Sequence, residues 1–281
     1  MGLILRDDGG SLSVNPPLTP NGFTTNGSNW LWAVTAVYVV IFLFFAATSF
    51  KAFNGERIFH YTFIVPLLVG SIVYYSWASD LGSSVVSGWQ LFWVKYIYWV
   101  VEFPAIIVAL GLLSGISWAT IVYNVFLSWI WIVSYLVAAF TTTQYKWGFF
   151  AFGTVSWLIL AVHLLTIGRK SATRVGVSAH YTGLAGWTNL LWLVWPIAWA
   201  VTDGARVIGV TPTAIFFGVL DILLLPVIAL AFFFVSRKWD YNRLNLAYTR
   251  YGRVNDGGHH QDKLTTPAPA HGGVNTAAPA V

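Results

Sequence analysis

Three ionisable side chains lie inside long apolar stretches of this sequence. Lys95 and Glu102 fall in KYIYWVVEFPAII, and Asp221 falls in TAIFFGVLDILLLPVIALAFFFVS. A charge in such surroundings is costly unless it is paired, so groups of this kind mark ion or proton pathways, sensing sites, or ion pairs that fix packing. The chemistry they would support is the titration of two carboxyl groups beside a lysine charge partner.

The spacing places the first two groups together. Lys95, Tyr98 or Trp99, and Glu102 recur at three- and four-residue steps, which puts them on one face of a helix. Because bare charges avoid lipid, this face is expected to look into a helix bundle, with Asp221 as the third member. The sequence therefore predicts a buried polar cluster of Lys95, Tyr98, Glu102 and Asp221, and either a structural or a transport role remains open for it.

The composition requires a membrane around these residues. Hydrophobic residues make up 57% of the chain and charged residues only 9%, against about 25% charged in a soluble domain. The chain has no cysteine, which excludes disulfides, thiolate metal sites and cysteine nucleophiles.

Seven apolar runs are long enough to span a bilayer, and none alternates as a barrel strand would, so an all-α bundle of seven transmembrane helices is predicted. The predicted spans are Trp30 to Phe50, Tyr61 to Ser79, Phe92 to Leu113, Trp118 to Phe140, Gly148 to Ile167, Trp187 to Val201 (extending back toward Thr182), and Thr213 to Ser236.

Basic residues collect on one side of these spans and predict its orientation. They are Lys51, Arg57, Arg169, Lys170, Arg174, Arg237, Lys238, Arg243, Arg250 and Arg253. By the positive-inside rule this side is cytoplasmic and the amino terminus lies outside. The net charge of +5 is thus a topology signal, and no nucleic-acid partner is expected.

The chain is predicted to have three parts. Residues 1–29 form an extracellular segment without a signal-peptide pattern, residues 30–238 form the transmembrane domain, and residues 239–281 form a cytoplasmic tail that is disordered from about Asn255. His259, His260 and His271 lie in that tail, and no metal site is expected there.

The sixth span carries a row of indoles around a proline, in WLVWPIAW. Trp192, Trp195 and Trp199 are at helical spacing, and Pro196 is expected to kink the helix. The indoles would either wall a cavity or pack the core.

Together these segments resemble the microbial rhodopsins. KYIYW with Pro104 downstream resembles the Arg-Tyr-x-Asp-Trp segment of that family, WLVWPIAW resembles its retinal wall, and VLD at Asp221 resembles the segment of its second counterion. VYYSWASDLG resembles the fungal branch, with Tyr74 or Tyr75 near the pocket tyrosine. The resemblance implies a cavity walled by Tyr74, Trp99, Trp192, Trp195, Pro196, Trp199 and Leu225.

The departures from that family are chemical. Leu225 stands where the family has its Schiff-base lysine, so no covalent retinal and no other cofactor is expected. Tyr98 replaces the primary counterion aspartate, Lys95 the arginine, and Ala109 the proton-donor aspartate. Imine formation on Lys95 instead is not expected, because pairing with Glu102 or Asp221 would keep it protonated.

An opsin body without its lysine resembles the opsin-related proteins, the branch that includes the fungal thirty-kilodalton plasma-membrane heat-shock protein. The resemblance implies a stress-linked plasma-membrane protein, with the lipid bilayer, the plasma-membrane proton ATPase and other copies of itself as partners.

Two classes of function follow: a non-catalytic membrane or proton-pump regulator, and an ion or proton transporter or small-ligand sensor that uses the vestigial cavity. A retinal photoreceptor ranks lower, a G-protein-coupled receptor lacks its motifs, and no enzyme motif is present.

Overall fold

Within the part of the chain that the structure describes, seven helices are long and apolar enough to cross a membrane. The computed structural model describes residues 10–52, 55–241, 243, 244 and 246. Its helices are α1 Ser11–Val14, α2 Thr25–Ser49, α3 Arg57–Ala78, α4 Val94–Ser114, α5 Trp118–Phe140, α6 Lys146–Val162, α7 Arg169–Val175, α8 Ser178–Trp199 and α9 Val210–Ser236, and its strands are β1 Ser83–Val86 and β2 Trp89–Phe92.

Two of the seven spans contain a π-helical turn. His163–Gly168 joins α6 to α7 and makes one span of Lys146–Val175, and Ala200–Gly204 extends α8 into a span of Ser178–Gly204. The second π turn begins four residues after Pro196, whose missing N–H cannot complete the helical ladder. This turn carries the buried side chain of Asp203.

The helices pack into a closed ring in chain order. α2 packs on α3 and α9, α3 on α4, α4 on α5, α5 on α6, α7 on α8, and α8 on α9. α4 also touches α7 and α8, and it is the most buried span, which places its face of Lys95, Tyr98 and Glu102 in the middle of the bundle.

Local sequence sets where the helices begin and end. The Ser117 hydroxyl accepts from the Thr120 N–H at 3.2 Å and starts α5. Gly115 and Gly176 terminate α4 and α7 in the left-handed conformation that glycine adopts at little cost, with φ of 66° and 82°.

One end of the bundle is covered by a hairpin. β1 and β2 pair antiparallel, and both residues of the two-residue turn, Ser87 and Gly88, have positive φ, as a type I′ turn requires. The segment before α2 is tied to the same end, because the Asn15 side-chain amide donates to the Ser79 carbonyl oxygen at 3.0 Å. We call this the hairpin end.

The opposite end, where α2, α4 and α9 finish, is the basic end; Arg169, Arg174 and Arg237 lie there. All seven predicted spans are confirmed as helices. The structure starts the sixth span at Ser178 rather than Trp187 and the first at Thr25 rather than Trp30, since polar residues in the first turns hide these starts from a hydropathy pattern. The predicted tail from about Asn255, with its histidines, lies outside the described residues.

Candidate functional site

The carboxyl group of Asp221 is the centre of a buried hydrogen-bond network. Asp221 is fully buried on α9, and the Tyr74 hydroxyl of α3 donates to its Oδ2. Trp99 of α4 donates its indole N–H to Oδ1 at 3.1 Å. The pocket tyrosine is thus Tyr74, because Tyr75 is 54% exposed on the outside of the bundle.

A second pair of tyrosines extends this network across the bundle. The hydroxyls of Tyr38 on α2 and Tyr98 on α4 are 2.6 Å apart, and Tyr38 donates to the backbone carbonyl of Asp221 at 3.0 Å. Four helices therefore meet at Asp221, whose side chain and backbone carbonyl accept hydrogen bonds from three of them. Tyr98 belongs to this network through the hydroxyl of Tyr38.

Glu102 lies next to the network without a full place in it. It is completely buried, and neither of its carboxyl oxygens has a hydrogen-bond partner among the described residues. Tyr98 lies one turn earlier on the same helix. Burial of a polar group without a hydrogen bond costs free energy, so Glu102 carries a cost to stability that Asp221 avoids.

Lys95 has a different partner from the expected one. Its ammonium lies 2.7 Å from Oδ2 of Asp203, at the end of the α8 span, and both side chains are buried. The expectation that Lys95 pairs with Glu102 or Asp221 is therefore wrong. The cause is position: Lys95 is in the first turn of α4, near the hairpin end, and Asp203 lies at that same end.

The Lys95–Asp203 ion pair is enclosed by aromatic rings. The Tyr96 hydroxyl donates to Asp203 Oδ2 at 2.5 Å, and Trp199 donates its indole N–H to the Tyr96 oxygen at 2.8 Å. The Lys95 ammonium lies 4.7 Å from the ring centroid of Phe217. Asp203 is thus held by one ionic contact and one hydrogen bond, and Trp199 holds Tyr96 in turn. This arrangement suits a structural lock, in which the ion pair fixes helix packing, better than a free lysine nucleophile.

Aromatic rings fill the space between the tryptophans of α8 and the face of α4. The ring of Phe103 lies 5.0 Å from Trp192, 5.5 Å from Trp195 and 5.0 Å from Trp131, measured between centroids. Trp99 contacts Trp195 at 6.0 Å. These side chains pack against one another as a core does. Pro196 on α8 and Leu225 on α9 are also buried, and the Leu225 side chain has no exposed surface.

The half of the bundle toward the basic end is apolar along α4 and α9. Beyond Glu102, α4 buries Phe103, Ile106, Ala109 and Leu110, and beyond Asp221, α9 buries Leu224, Leu225, Ile228 and Phe232. The polar groups of the site thus lie at mid-bundle and toward the hairpin end, and no acid continues the row on these two helices.

Two members of the site are not predicted from the sequence. Asp203 lies two residues beyond the predicted end of the sixth span at Val201, so the apolar pattern does not include it. Phe103 lies in an apolar run, where an aromatic residue carries no signal beyond core packing.

Fold and site together define a seven-helix membrane bundle with a polar centre, and comparisons with known proteins identify its family. The sequence model of the family described as bacteriorhodopsin-like protein matches residues 25–224. The chain belongs to this family, and hence to the microbial-rhodopsin fold.

Several fungal proteins are similar along most of their length. Protein FDD123 of Trametes versicolor is 35% identical over 86% of this chain and 88% of its own. The opsin-like protein carO of Fusarium fujikuroi is 32% identical over 84% and 83%. The 30 kDa heat shock protein of Saccharomyces cerevisiae is 28% identical over 84% and 81%.

Among solved structures, the light-driven proton pump of Coccomyxa subellipsoidea is similar, with a TM-score of 0.74 and 27% identity, covering 75% of this chain and 97% of that one. The resemblance to opsin-related fungal proteins drawn from the sequence is confirmed.

This family implies a retinal held as an imine on a lysine, and the residues present here do not fit that group. Leu225 offers no amine, Phe103 occupies the space between the indoles, and Lys95 is held by Asp203. The chemistry of this chain therefore depends on its own side chains.

Proposed function

We propose that this chain is a non-photoactive, opsin-related plasma-membrane protein that acts as a membrane or proton-pump regulator in the stress response rather than as a light-driven pump. One observation carries the proposal: Leu225, four residues after Asp221, is buried where the family has its lysine, and Phe103 packs between the indoles of Trp131, Trp192 and Trp195. Without an amine at this position, the protein has no anchor for a chromophore and needs no cofactor.

The apolar half toward the basic end supports the same proposal. Ionisable groups inside a membrane mark ion and proton pathways, and beyond Glu102 and Asp221 the helices α4 and α9 bury apolar residues such as Ala109, Leu110 and Ile228. Along these two helices the acids hold a polar centre that apolar residues separate from the basic end. Such a centre is consistent with a scaffold that stabilises the membrane or binds another membrane protein.

The stress link rests on relatives rather than on geometry. A relative is named as a 30 kDa heat shock protein, and the family resemblance brings in the plasma membrane and its proton ATPase as the candidate partner. The bilayer is the other partner, and homo-oligomers are part of the proposal.

Absorbance and flux measurements test the non-photoactive assignment. Purified protein incubated with retinal is expected to show only the spectrum of free retinal, because no imine forms. In sealed vesicles, proton flux in light is expected to equal flux in darkness for both the parent and Asp221→Asn. A red-shifted band in the folded protein, together with a retinyl group that stays covalently bound after borohydride reduction of the imine and denaturation, would refute the proposal.

The regulatory part needs its own measurement. Plasma-membrane vesicles that contain the proton ATPase, prepared with and without this protein, are compared for ATP-driven acidification after heat stress. We expect the protein to lower the acidification rate, and Asp221→Asn to do so to the same extent wherever the variant reaches normal abundance. Equal rates with and without the protein would remove pump regulation from the proposal.

A second candidate function is ion or proton transport or small-ligand sensing, and it is favoured by the carboxyl group of Glu102, which has no hydrogen-bond partner among the described residues. A buried acid beside a tyrosine network has the chemistry to exchange a proton or to accept a donor from a ligand. Under this function Glu102→Gln changes dark flux or ligand affinity in a protein that still folds. Under the regulatory function it leaves flux at the level of empty vesicles.

A further inference from the structure

A pocket of about 220 Å³ opens at the basic end, away from the buried cluster. It lies between the turn that joins α7 to α8 and the residues that follow α9. Its polar side chains are His180, Lys238, Asp240 and Arg243, with Gly176 and Trp239 forming part of the wall. None of these residues takes part in the site described above.

The indole of Trp239 gives the pocket a fixed floor. Trp239 is 7% exposed and packs edge-on against Phe59 at 5.4 Å and Phe232 at 5.7 Å. Its Nε1–H donates to Nδ1 of His180 at 3.0 Å. Since Nδ1 is the acceptor, the imidazole carries its proton on Nε2, and the ring presents a donor on its other side.

Two cationic side chains, those of Lys238 and Arg243, line the pocket. Lys238 and Arg243 are exposed, and neither forms an ion pair with another residue in the part of the chain that the structure describes. Gly176 allows the guanidinium to lie close to the backbone, because a Cβ at this position would stand 2.9 Å from Nη1 of Arg243. The glycine also has φ of 82°, so a larger residue would be strained there as well.

The single acid of the pocket does not cancel this charge. Oδ1 of Asp240 accepts from the backbone N–H of Arg243 at 3.4 Å, which ties the carboxylate to the turn. Two cations against one carboxylate leave the pocket positive, with donors from an ammonium, a guanidinium and an imidazole. A compact anion with several acceptor oxygens matches this arrangement.

The level of the pocket relative to the membrane indicates which class of anion it binds. It lies directly after Ser236, where the membrane-long helix α9 ends, and the guanidinium of Arg237 lies 4.5 Å from the ring centroid of Phe233 at the same level. Residues at this position meet the phosphate layer of a bilayer. We propose that the pocket binds a phosphoryl group, carried either by a phospholipid headgroup or by a soluble phosphate compound.

Native mass spectrometry of the purified full-length protein tests the site. The probes are phosphatidylcholine, phosphatidylinositol 4-phosphate and inorganic phosphate, each titrated separately. The test variant is Lys238→Ala with Arg243→Ala. The control is Arg169→Ala with Lys170→Ala, which removes the same charge from the basic end outside the pocket. Thermal unfolding of each variant verifies that the fold is retained.

We expect phosphatidylinositol 4-phosphate to bind the parent and the control alike, and to bind the test variant at least about tenfold more weakly. Gly176→Ala is expected to weaken binding in the same direction by displacing Arg243. Binding of inorganic phosphate alone, with the same variant pattern, would assign the pocket to soluble phosphates. Equal binding by the test variant and the control overturns the proposal. A lack of binding by every protein, including the parent, overturns it as well.

Discussion

At the scale of single residues, the buried ionisable groups of the bundle differ in whether they have interaction partners. Asp221 and the Lys95–Asp203 pair are surrounded by donors, rings and counter-charge, whereas Glu102 has no hydrogen-bond partner among the described residues. A paired ion becomes a liability only when its partner is removed, because the remaining charge is then buried alone. The contribution of each group is therefore measured by changing one partner at a time.

Asp203→Asn is expected to destabilise the protein by about 3 kcal/mol, because it leaves the Lys95 ammonium buried without a counter-ion. The asparagine oxygen still accepts from Tyr96, so the loss is one of charge and not of shape. Thermal unfolding of the purified protein in detergent measures the change. The paired substitution Lys95→Met with Asp203→Leu serves as control and is expected to lie within about 1 kcal/mol of the parent. If Asp203→Asn were as stable as the parent, the Lys95–Asp203 ion pair would not be a structural lock.

Phe103→Ala is expected to cost about 3 to 5 kcal/mol, because it empties the space between Trp131, Trp192 and Trp195. Phe152 is the matched control: it is 69% exposed on α6, toward lipid, and Phe152→Ala is expected to change stability by less than about 0.5 kcal/mol. Chemical unfolding of both variants under identical conditions compares them. Equal costs for the two would show that the indole cavity is not filled as described.

At the scale of elements, length and apolarity made the seven spans predictable, because a helix that crosses a bilayer needs about twenty apolar residues. Their ends were less predictable, and α8 starts nine residues before the predicted run at Trp187. The partner of Lys95 was unpredictable in a stronger sense. Its identity depends on which helix ends meet across the bundle, and a π turn after Pro196 places Asp203 there.

The hairpin end carries an element-scale prediction. Asp80 is buried beside β2, where burial raises its pKa to about 6 and the hydrogen bond from Gln90, 2.6 Å from Oδ1, opposes the rise. Its other oxygen, Oδ2, has no partner among the described residues. A folded-state pKa above the ordinary value of 3.8 means that the protonated form favours folding.

The stability from Asp80 is therefore present below pH 4 and lost as the pH rises through about 6. Between those values the parent is expected to lose on the order of 1 kcal/mol, after allowance for solvent screening. Asp80→Asn mimics the neutral acid and removes this component of the pH dependence. Melting temperatures of both proteins at pH 4, 5, 6 and 7 make the comparison. Parallel curves would place the titration elsewhere.

At the scale of the whole molecule, the two ends of the bundle differ in the polar groups, the hairpin and the basic residues that they carry. The ion pair and the hairpin share one end, and the pocket with Lys238 and Arg243 opens at the other. The positive-inside rule predicts that this second end faces the cytoplasm, where anionic phospholipids are concentrated. The orientation therefore links the membrane topology to the proposed phosphoryl site, and it can be measured directly.

The absence of cysteine makes this measurement simple, since one introduced thiol is the only target for a maleimide. Thr143 and Thr173 are both exposed, the first in the link from α5 to α6 at the hairpin end and the second on α7 at the basic end. A membrane-impermeant maleimide applied to intact cells is expected to label Thr143→Cys and to label Thr173→Cys only after permeabilisation. Labelling of Thr173→Cys in intact cells, with Thr143→Cys protected, would reverse the bundle and move the phosphoryl pocket to the outer leaflet.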